Sequence, residues 1–325
     1  MTQTSFIKHA VRIEKDKPCI DLDEQGIGAA LESETLAWVH LDRDHPKTRK
    51  WVEANLSFLD PLIIDALFDE ETRPRAEEFG DGLLVNLRAA NLLEGQEAHD
   101  MISFRLWVDH KQLVSVQRRK IFAVIDVLEK VRAGRGYDSA GKILAALVLA
   151  LVHRMESIIN ELGESTDTLE ENVLENPDIH FRRQIVALRQ KTIIFRRFMA
   201  PQREVVAKLR AVEKPWIDQR CRVAFLEAYD HLYRFIEELD SIRERLQVVQ
   251  DELTNSLADK LNKRMYVLSI VAAIFLPLGF LTGLLGINVA GIWGADYPNA
   301  FSVFIGMLVL IVISMFIFFR IKKWF

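Results

Sequence analysis

The sequence predicts an α+β domain followed by long helices and two C-terminal membrane-spanning helices. Three observations carry this. Strand-like alternation mixed with short helical stretches is confined to residues 1 to about 140. From Gly141 the spacing is helical almost without interruption to Gly286. Two charge-free apolar runs, Met265 to Leu285 and Phe301 to Phe319, close the chain.

In the first region, Glu34–Leu41 ("ETLAWVHL") has the composition of a strand. In "DPLIIDALFD", Asp60 stands at an N-cap position and Pro61 at the first helical position, so a helix starts there. "GLLVNLRAANLLEG" and "MISFRLWVDHKQLVSVQ" alternate with period two, which puts Ile102, Phe104, Leu106 and Val108 on one face. "DHKQ" has the make-up of a turn between two strands, and Lys120 to Val131 returns to helical spacing. Lys142–Glu175 and Asp178–Val212 then form two charged amphipathic helices, divided at Asn176–Pro177, with Pro201 a potential kink in the second. A third helix is expected to start at Pro215 and to show no stop before Gly286, a length of roughly 100 Å at about 1.5 Å per residue. Its charges, among them Arg243, Glu244, Arg245, Asp251 and Glu252, read as a solvated face with i,i+4 pairs. The expected divisions are an α/β domain over 1–140, a helical arm over 141–214, a stalk helix over 215–264 and a membrane domain over 265–325.

A helix needs about 20 apolar residues to cross about 30 Å of hydrocarbon, and both C-terminal runs meet that length. Leu144–Val152 is apolar but too short, and reads as a packed helix. Lys260, Lys263 and Arg264 precede the first run, Arg320, Lys322 and Lys323 follow the second, and the connecting loop has no Lys or Arg. The positive-inside rule then puts both termini in the cytoplasm. Trp293 and Trp324 fall near the two interfaces, and Pro277 inside the first run is tolerable in a membrane helix.

Net charge is −4, which gives no electrostatic footprint for nucleic acid. Cys19 and Cys221 are far apart and predict free thiols rather than a disulfide. "MTQTSFIKHAVRIEKDK" lacks an apolar core, so no signal peptide is expected. No nucleophile–base pair, phosphate-binding loop or dinucleotide glycine pattern points to an enzyme. A membrane-anchored signalling protein is a rival reading, but the outer loop is too short to be a sensor.

One stripe of the first run, followed in steps of three and four, reads Asn262, Met265, Ser269, Ala272, Leu276, Gly279, Gly283 and Gly286. Its residues are mostly small or weakly polar. Tyr266, Ile270, Ile274, Phe275, Phe280 and Leu281 make the other faces bulky. Small residues let membrane helices pack closely, and they equally leave a narrow hole around a symmetry axis. Two helices per chain cannot enclose a path, so a pore requires several copies in a closed ring. Asn288, just beyond the helix, is placed both to cap it and to offer a ring of amide oxygens to an ion.

"YVLSIVAAIFLPLGFLTGLLGIN" resembles the first membrane helix of the CorA-type metal ion transporters, ending in their Gly-x-Asn signature, here Gly286, Ile287 and Asn288. "DPLIIDALFDEETRPRAEEFGDGLLVNLR", with Arg73-Pro74-Arg75 and Glu77-Glu78, and the basic tail "RIKKWF" are similar to the family too. "RRFMAPQREVVAKL" resembles its zinc-transporting ZntB branch. The resemblance covers essentially the whole chain. It implies a funnel-shaped homopentamer in the cell inner (plasma) membrane, with no cofactor. Its partners would be the lipid bilayer, the transported Zn2+ or other divalent cation, and protons as a coupled ion. The pore would be lined by Asn262, Met265, Ser269, Ala272, Leu276, Gly279 and Gly283. Magnesium members usually carry Met inside Gly-x-Asn and an acidic loop after it. This chain has Ile287 and "VAGIWG", which favours the zinc branch over a CorA-type Mg2+ channel. Relatives often have Thr where this chain has Gly279.

Ligand chemistry alone does not choose the metal. Zinc normally takes Cys, His and carboxylate ligands. The spans and their loop hold no Cys or His, and Asp296 is their one acid. A substantially hydrated cation passing oxygen dipoles and a constriction near Leu276 and Met265 fits these residues, for magnesium as well as zinc. No membrane-embedded Asp, Glu or His offers a proton relay. Outside the spans, acidic residues can gather cations. His153, His180 and His231, with Glu156, Asp178 and Asp230 near them in sequence, are candidate metal ligands there.

Overall fold

The computed structural model describes residues 5–14, 17–70, 73–134, 136–287, 294 and 297–322. The chain divides into two compact units, Met1–Asn176 with His180–Asp251 and Pro177–Ile179 with Glu252–Phe325.

The first unit is built on a seven-stranded mixed sheet. Its strands are β1 (Ile7–Ile13), β2 (Ile20–Asp21), β3 (Leu36–Asp42), β4 (Arg75–Phe79), β5 (Gly82–Ala89), β6 (Ile102–Val108) and β7 (Gln112–Gln117), in the order β2-β1-β3-β7-β6-β5-β4. Only β3 and β7 pair in parallel; the other neighbours are antiparallel. Helices α1 (Glu24–Glu32), α2 (Thr48–Asn55) and α3 (Pro61–Phe68) share a core with Val39 of β3, Val114 of β7, Trp107 of β6 and Leu84 of β5, which stand in register across the sheet. The opposite face carries Phe104, Leu106 and their neighbours and is covered by α5 (Ala140–Glu175) and α6 (Phe181–Ala211), with α4 (Phe122–Arg132) packed on α5. Ile102, Phe104, Leu106 and Val108 do lie on one side of β6. Because both faces are covered, Arg105 and Trp107 between them are buried as well.

Local chemistry sets the element ends. Asp60 Oδ1 accepts the Leu62 N–H at 2.8 Å with Pro61 behind it, and so starts α3 as expected. The turn between β6 and β7 is held by Asp109, whose Oδ1 accepts the N–H groups of Lys111 at 2.9 Å and Gln112 at 2.8 Å. Two starts differ from expectation. The long helix α7 runs Gln219–Leu285 and does not begin at Pro215. Asp218 Oδ1 accepts the Cys221 N–H at 2.9 Å, a stronger start signal than proline alone. Pro215 lies in a turn closed by Ile217 N–H to the Lys214 carbonyl. That turn is anchored by Lys214 Nζ on the Gly80 carbonyl and Trp216 Nε1 on that of Asp81. The second arm helix, α6, starts at Phe181 rather than Asp178, and α6 continues through Pro201.

Within the first unit α7 is tied sideways as well as along itself, where Gln247 Nε2 donates to Asp251 Oδ1 at 3.0 Å. Arg245 Nη2 reaches Asp167 and Glu170 on α5 at 2.5 and 2.6 Å. Arg196 of α6 holds Asp240 with two bonds, 2.6 and 3.1 Å. That contact keeps the Asp240 carboxyl below its ordinary range. The expected solvated face with i,i+4 pairs is thus corrected for Arg245, which pairs between helices.

Both cysteines are free. Burial, and then the hydrogen bond to Asp218, push the Cys221 thiol up to about 12, so it is not a reactive thiolate at neutral pH.

Gly141 allows α5 to pass beneath the turn before α7. A Cβ there would lie 2.2 Å from the Trp216 carbonyl oxygen and 3.2 Å from Cys221 Sγ. The nearer obstacle is backbone, so Gly141→Ala should destabilise the protein by about 1–3 kcal/mol, as overpacking does. Gly28→Ala on α1, where an added Cβ meets nothing within 4 Å, should be neutral or stabilising. Thermal melts of the two variants check both signs.

Candidate functional site

Among the described residues three helices are long and apolar enough to cross a membrane. Half of the most apolar stretch of α5 is buried, in keeping with a packed helix. That of α7 is 6% buried, and that of α8 (Ala300–Ile321) is not buried at all. The second unit therefore presents two long apolar helical surfaces that need a nonaqueous environment.

α7 ends at Leu285, where Gly286 N–H bonds the carbonyls of Thr282 at 2.9 Å and Gly283 at 3.3 Å. Helical geometry puts Asn262, Met265, Ser269, Ala272, Leu276, Gly279 and Gly283 on one stripe. All are exposed except Ala272, which is half-buried; Met265 is 60% and Leu276 71% exposed. The single chain leaves nearly all of this face uncovered. Ser269 Oγ donates back to the Met265 carbonyl at 2.9 Å, so its remaining acceptor capacity is what it can turn outward. Positive charge flanks Asn262 at the start of the span through Lys260, Lys263 and Arg264. Lys260 Nζ is engaged with the Pro177 carbonyl at 2.6 Å.

The three glycines of the stripe differ. A Cβ on Gly286 would stand 2.8 Å from the Thr282 carbonyl oxygen, so this glycine answers to its own helix end. A Cβ on Gly279 or Gly283 would meet nothing within 4 Å. Among the described residues nothing requires glycine at either. Ile287 of the Gly-x-Asn triplet is 48% exposed, and Asn288 lies outside the described residues, as do Trp293, Asp296 and Trp324.

Of the three histidines singled out from the sequence, the structure brings His153 and His231 together, with ring centroids 5.0 Å apart. Their third neighbour is Glu227, not the Glu156, Asp178 or Asp230 expected from sequence proximity. His180 packs on Phe181 instead, at 3.9 Å between rings. The Glu227–His231 spacing of four residues on one helix was the available signal for Glu227.

Comparison with known proteins follows the same lines. The chain is 34% identical over 296 residues to the zinc transport protein ZntB of Yersinia enterocolitica, covering 91% of this chain and 90% of that protein. It is 37% identical over 276 residues to the divalent cation transporter CmaX of Pseudomonas aeruginosa, covering 83% and 82%. The structure of full-length CmaX superposes over all of both chains with a TM-score of 0.84 at 31% identity. The CorA magnesium transporter of Methanocaldococcus jannaschii shares the fold, with a TM-score of 0.82 at 20% identity over 98% of this chain and 99% of that one. A family profile described as CorA-like Mg2+ transporter protein matches residues 33–323, and with that match and these relatives the chain belongs to the CorA-like transporter family.

Proposed function

We propose that this protein carries divalent cations, zinc foremost, across the inner membrane through a pore built by five copies of α7. The observation that carries the reading is the exposed stripe from Asn262 to Gly283, which contains two glycines whose added Cβ would meet nothing within 4 Å among the described residues. Around a symmetry axis, such a face lets helices approach and leaves a narrow, weakly polar path. Asn288, following the last turn, would supply amide oxygens at the mouth. The zinc assignment is supported by the relatives named zinc transport protein and by Ile287 inside the triplet.

One observation favours magnesium as a second cargo: the spans and loop hold no Cys or His. A site of carbonyl-type oxygens does not strip the ion of water as zinc-binding nitrogen or sulfur would, and it suits Mg2+, which dehydrates reluctantly. Liposomes loaded with zinc- or magnesium-sensitive dye, with and without a pH gradient, test the proposal. Zinc entry should exceed magnesium entry, and Asn288→Ala should reduce both strongly. A rate that rises with an imposed proton gradient would establish coupling. Absence of flux of either ion would overturn the transport reading, and full flux in Asn288→Ala would overturn the mouth. Native mass spectrometry should give a pentamer.

A further inference from the structure

We propose that His153, Glu227 and His231 form a binding site for a transition-metal ion of the zinc type, bridging α5 and α7 in the first unit. Glu227 and His231 stand four residues apart on α7 and so share a face. His153 comes from α5 and meets them: its Nε2 is 3.6 Å from Glu227 Oε1, and its ring lies edge-on to His231 at 5.0 Å and 79°. One ligand atom from each residue lies within 4.8 Å of the others. Ligands of a tetrahedral zinc ion, at about 2.0–2.2 Å from the metal, are about 3.3 Å from each other. Closing the set therefore takes side-chain movements of about an ångström and no backbone change.

The donor set selects the metal class. Two imidazoles and one carboxylate suit zinc, nickel, copper or cobalt, whereas magnesium and calcium take oxygen ligands. His153 and Glu227 are exposed and His231 is half-buried, so an ion can enter directly and keep water in a fourth position. Without metal the same residues make weaker contacts. The His153–Glu227 pair is ionic only when His153 is protonated. Arg234 Nη2 lies 3.2 Å from His231 Nδ1 and can only donate, so it holds His231 with its lone pair on Nδ1. An ion taken by Nδ1 must displace Arg234, and one taken by Nε2 needs the proton on Nδ1. Arg234 competes with the metal in either case.

This site is independent of the α7 stripe, so its test is separate from flux. Zn2+ is titrated into the full-length protein in detergent by calorimetry, and Co2+ by visible absorption, where tetrahedral histidine ligation gives strong d–d bands. The expected result is that the double variant His153→Ala/His231→Ala binds one Zn2+ fewer per chain and loses the cobalt bands. Excess Mg2+ should not compete, Asn288→Ala should leave this binding unchanged, and Arg234→Gln should tighten it several-fold. Equal stoichiometry in the double variant, or displacement of the cobalt signal by Mg2+, would overturn the proposal. All three positions are at the surface of the helices, and an unchanged melting curve without metal shows that the double variant is folded.

Discussion

Gly283→Leu, reconstituted in liposomes, should pass divalent cations about tenfold more slowly or worse, the equivalent of at least about 1.4 kcal/mol added to the barrier. The described residues of the chain give no reason for such a loss. An added Cβ at Gly283 meets nothing within 4 Å, and the same holds at Gly279. Leucine is moreover the better helix former, by several tenths of a kcal/mol or more. A monomer would therefore accept the change or gain from it. A flux loss can only report what lies opposite this face in the assembly, namely other copies around an axis or the ion itself. An apolar ring at a narrow level obstructs a hydrated ion sterically and by dewetting. Assemblies that form normally but conduct poorly would place Gly283 on the path. Loss of assembly would make the stripe a packing face, and normal flux would remove it from both roles. Val267→Leu, on an exposed position outside the stripe, serves as the control and should conduct normally.

What the sequence made legible was whatever depends on neighbours in the chain. Asp60 and Pro61 announce α3 because a cap and its helix are local. Asp109 announces the β6–β7 turn because its carboxylate bonds the backbone two and three residues on. The apolar runs announce the membrane helices by length alone. Elements decided by distant partners were hidden. α1 contains two glycines and owes its place to Ile27 and Leu31 packing on the sheet core, not to propensity. β1, "IKHAVRI", carries Lys8, His9 and Arg12 and is a strand because it pairs with β3. The start of α7 moved from Pro215 to Asp218 because the preceding turn is anchored on the β4–β5 hairpin, over 130 residues earlier in sequence. The stripe on α7 was visible as a pattern, since helical periodicity follows from the backbone. Its separation into Gly286, required by its own helix end, and Gly279 and Gly283, where the described residues make no such demand, depends on the three-dimensional fold. The metal cluster follows the same rule. Histidines could be singled out one at a time, but only the crossing of α5 and α7 shows that Glu227 completes the set.

His40 should make the protein less stable as pH falls from about 6.5 towards 4. The side chain is 1% exposed on β3, and burial lowers its pKa to about 4 from the ordinary 6.5, with Gln117 offsetting part of the effect. Its Nδ1 lies 2.8 Å from Ser115 Oγ, which also accepts the Trp38 indole N–H at 2.9 Å. Ser115 has one hydroxyl proton, within reach of both His40 Nδ1 and the Val39 carbonyl at 3.4 Å, and where Nδ1 accepts it the imidazole is neutral. The stacked His9 ring at 6.2 Å, itself lowered by burial and by Arg132, adds no compensating negative charge. The sign then follows. Between the two pKa values the unfolded chain binds a proton at this position and the folded chain does not, so stability rises with pH across the window. It is fully present above 6.5. About 1.4 kcal/mol is lost by pH 5.5 and about 3 kcal/mol by pH 4. His40→Gln keeps a neutral hydrogen-bonding group beside Ser115 and cannot take up the proton. Melting curves of both proteins between pH 7.5 and 4.5 share every other titrating group, so their difference isolates His40. The gap should be largest at pH 7.5 and narrow or reverse as pH falls. Parallel curves would show that His40 accepts a proton in the folded state as readily as in the unfolded one, and that the Trp38–Ser115–His40 chain does not hold it neutral.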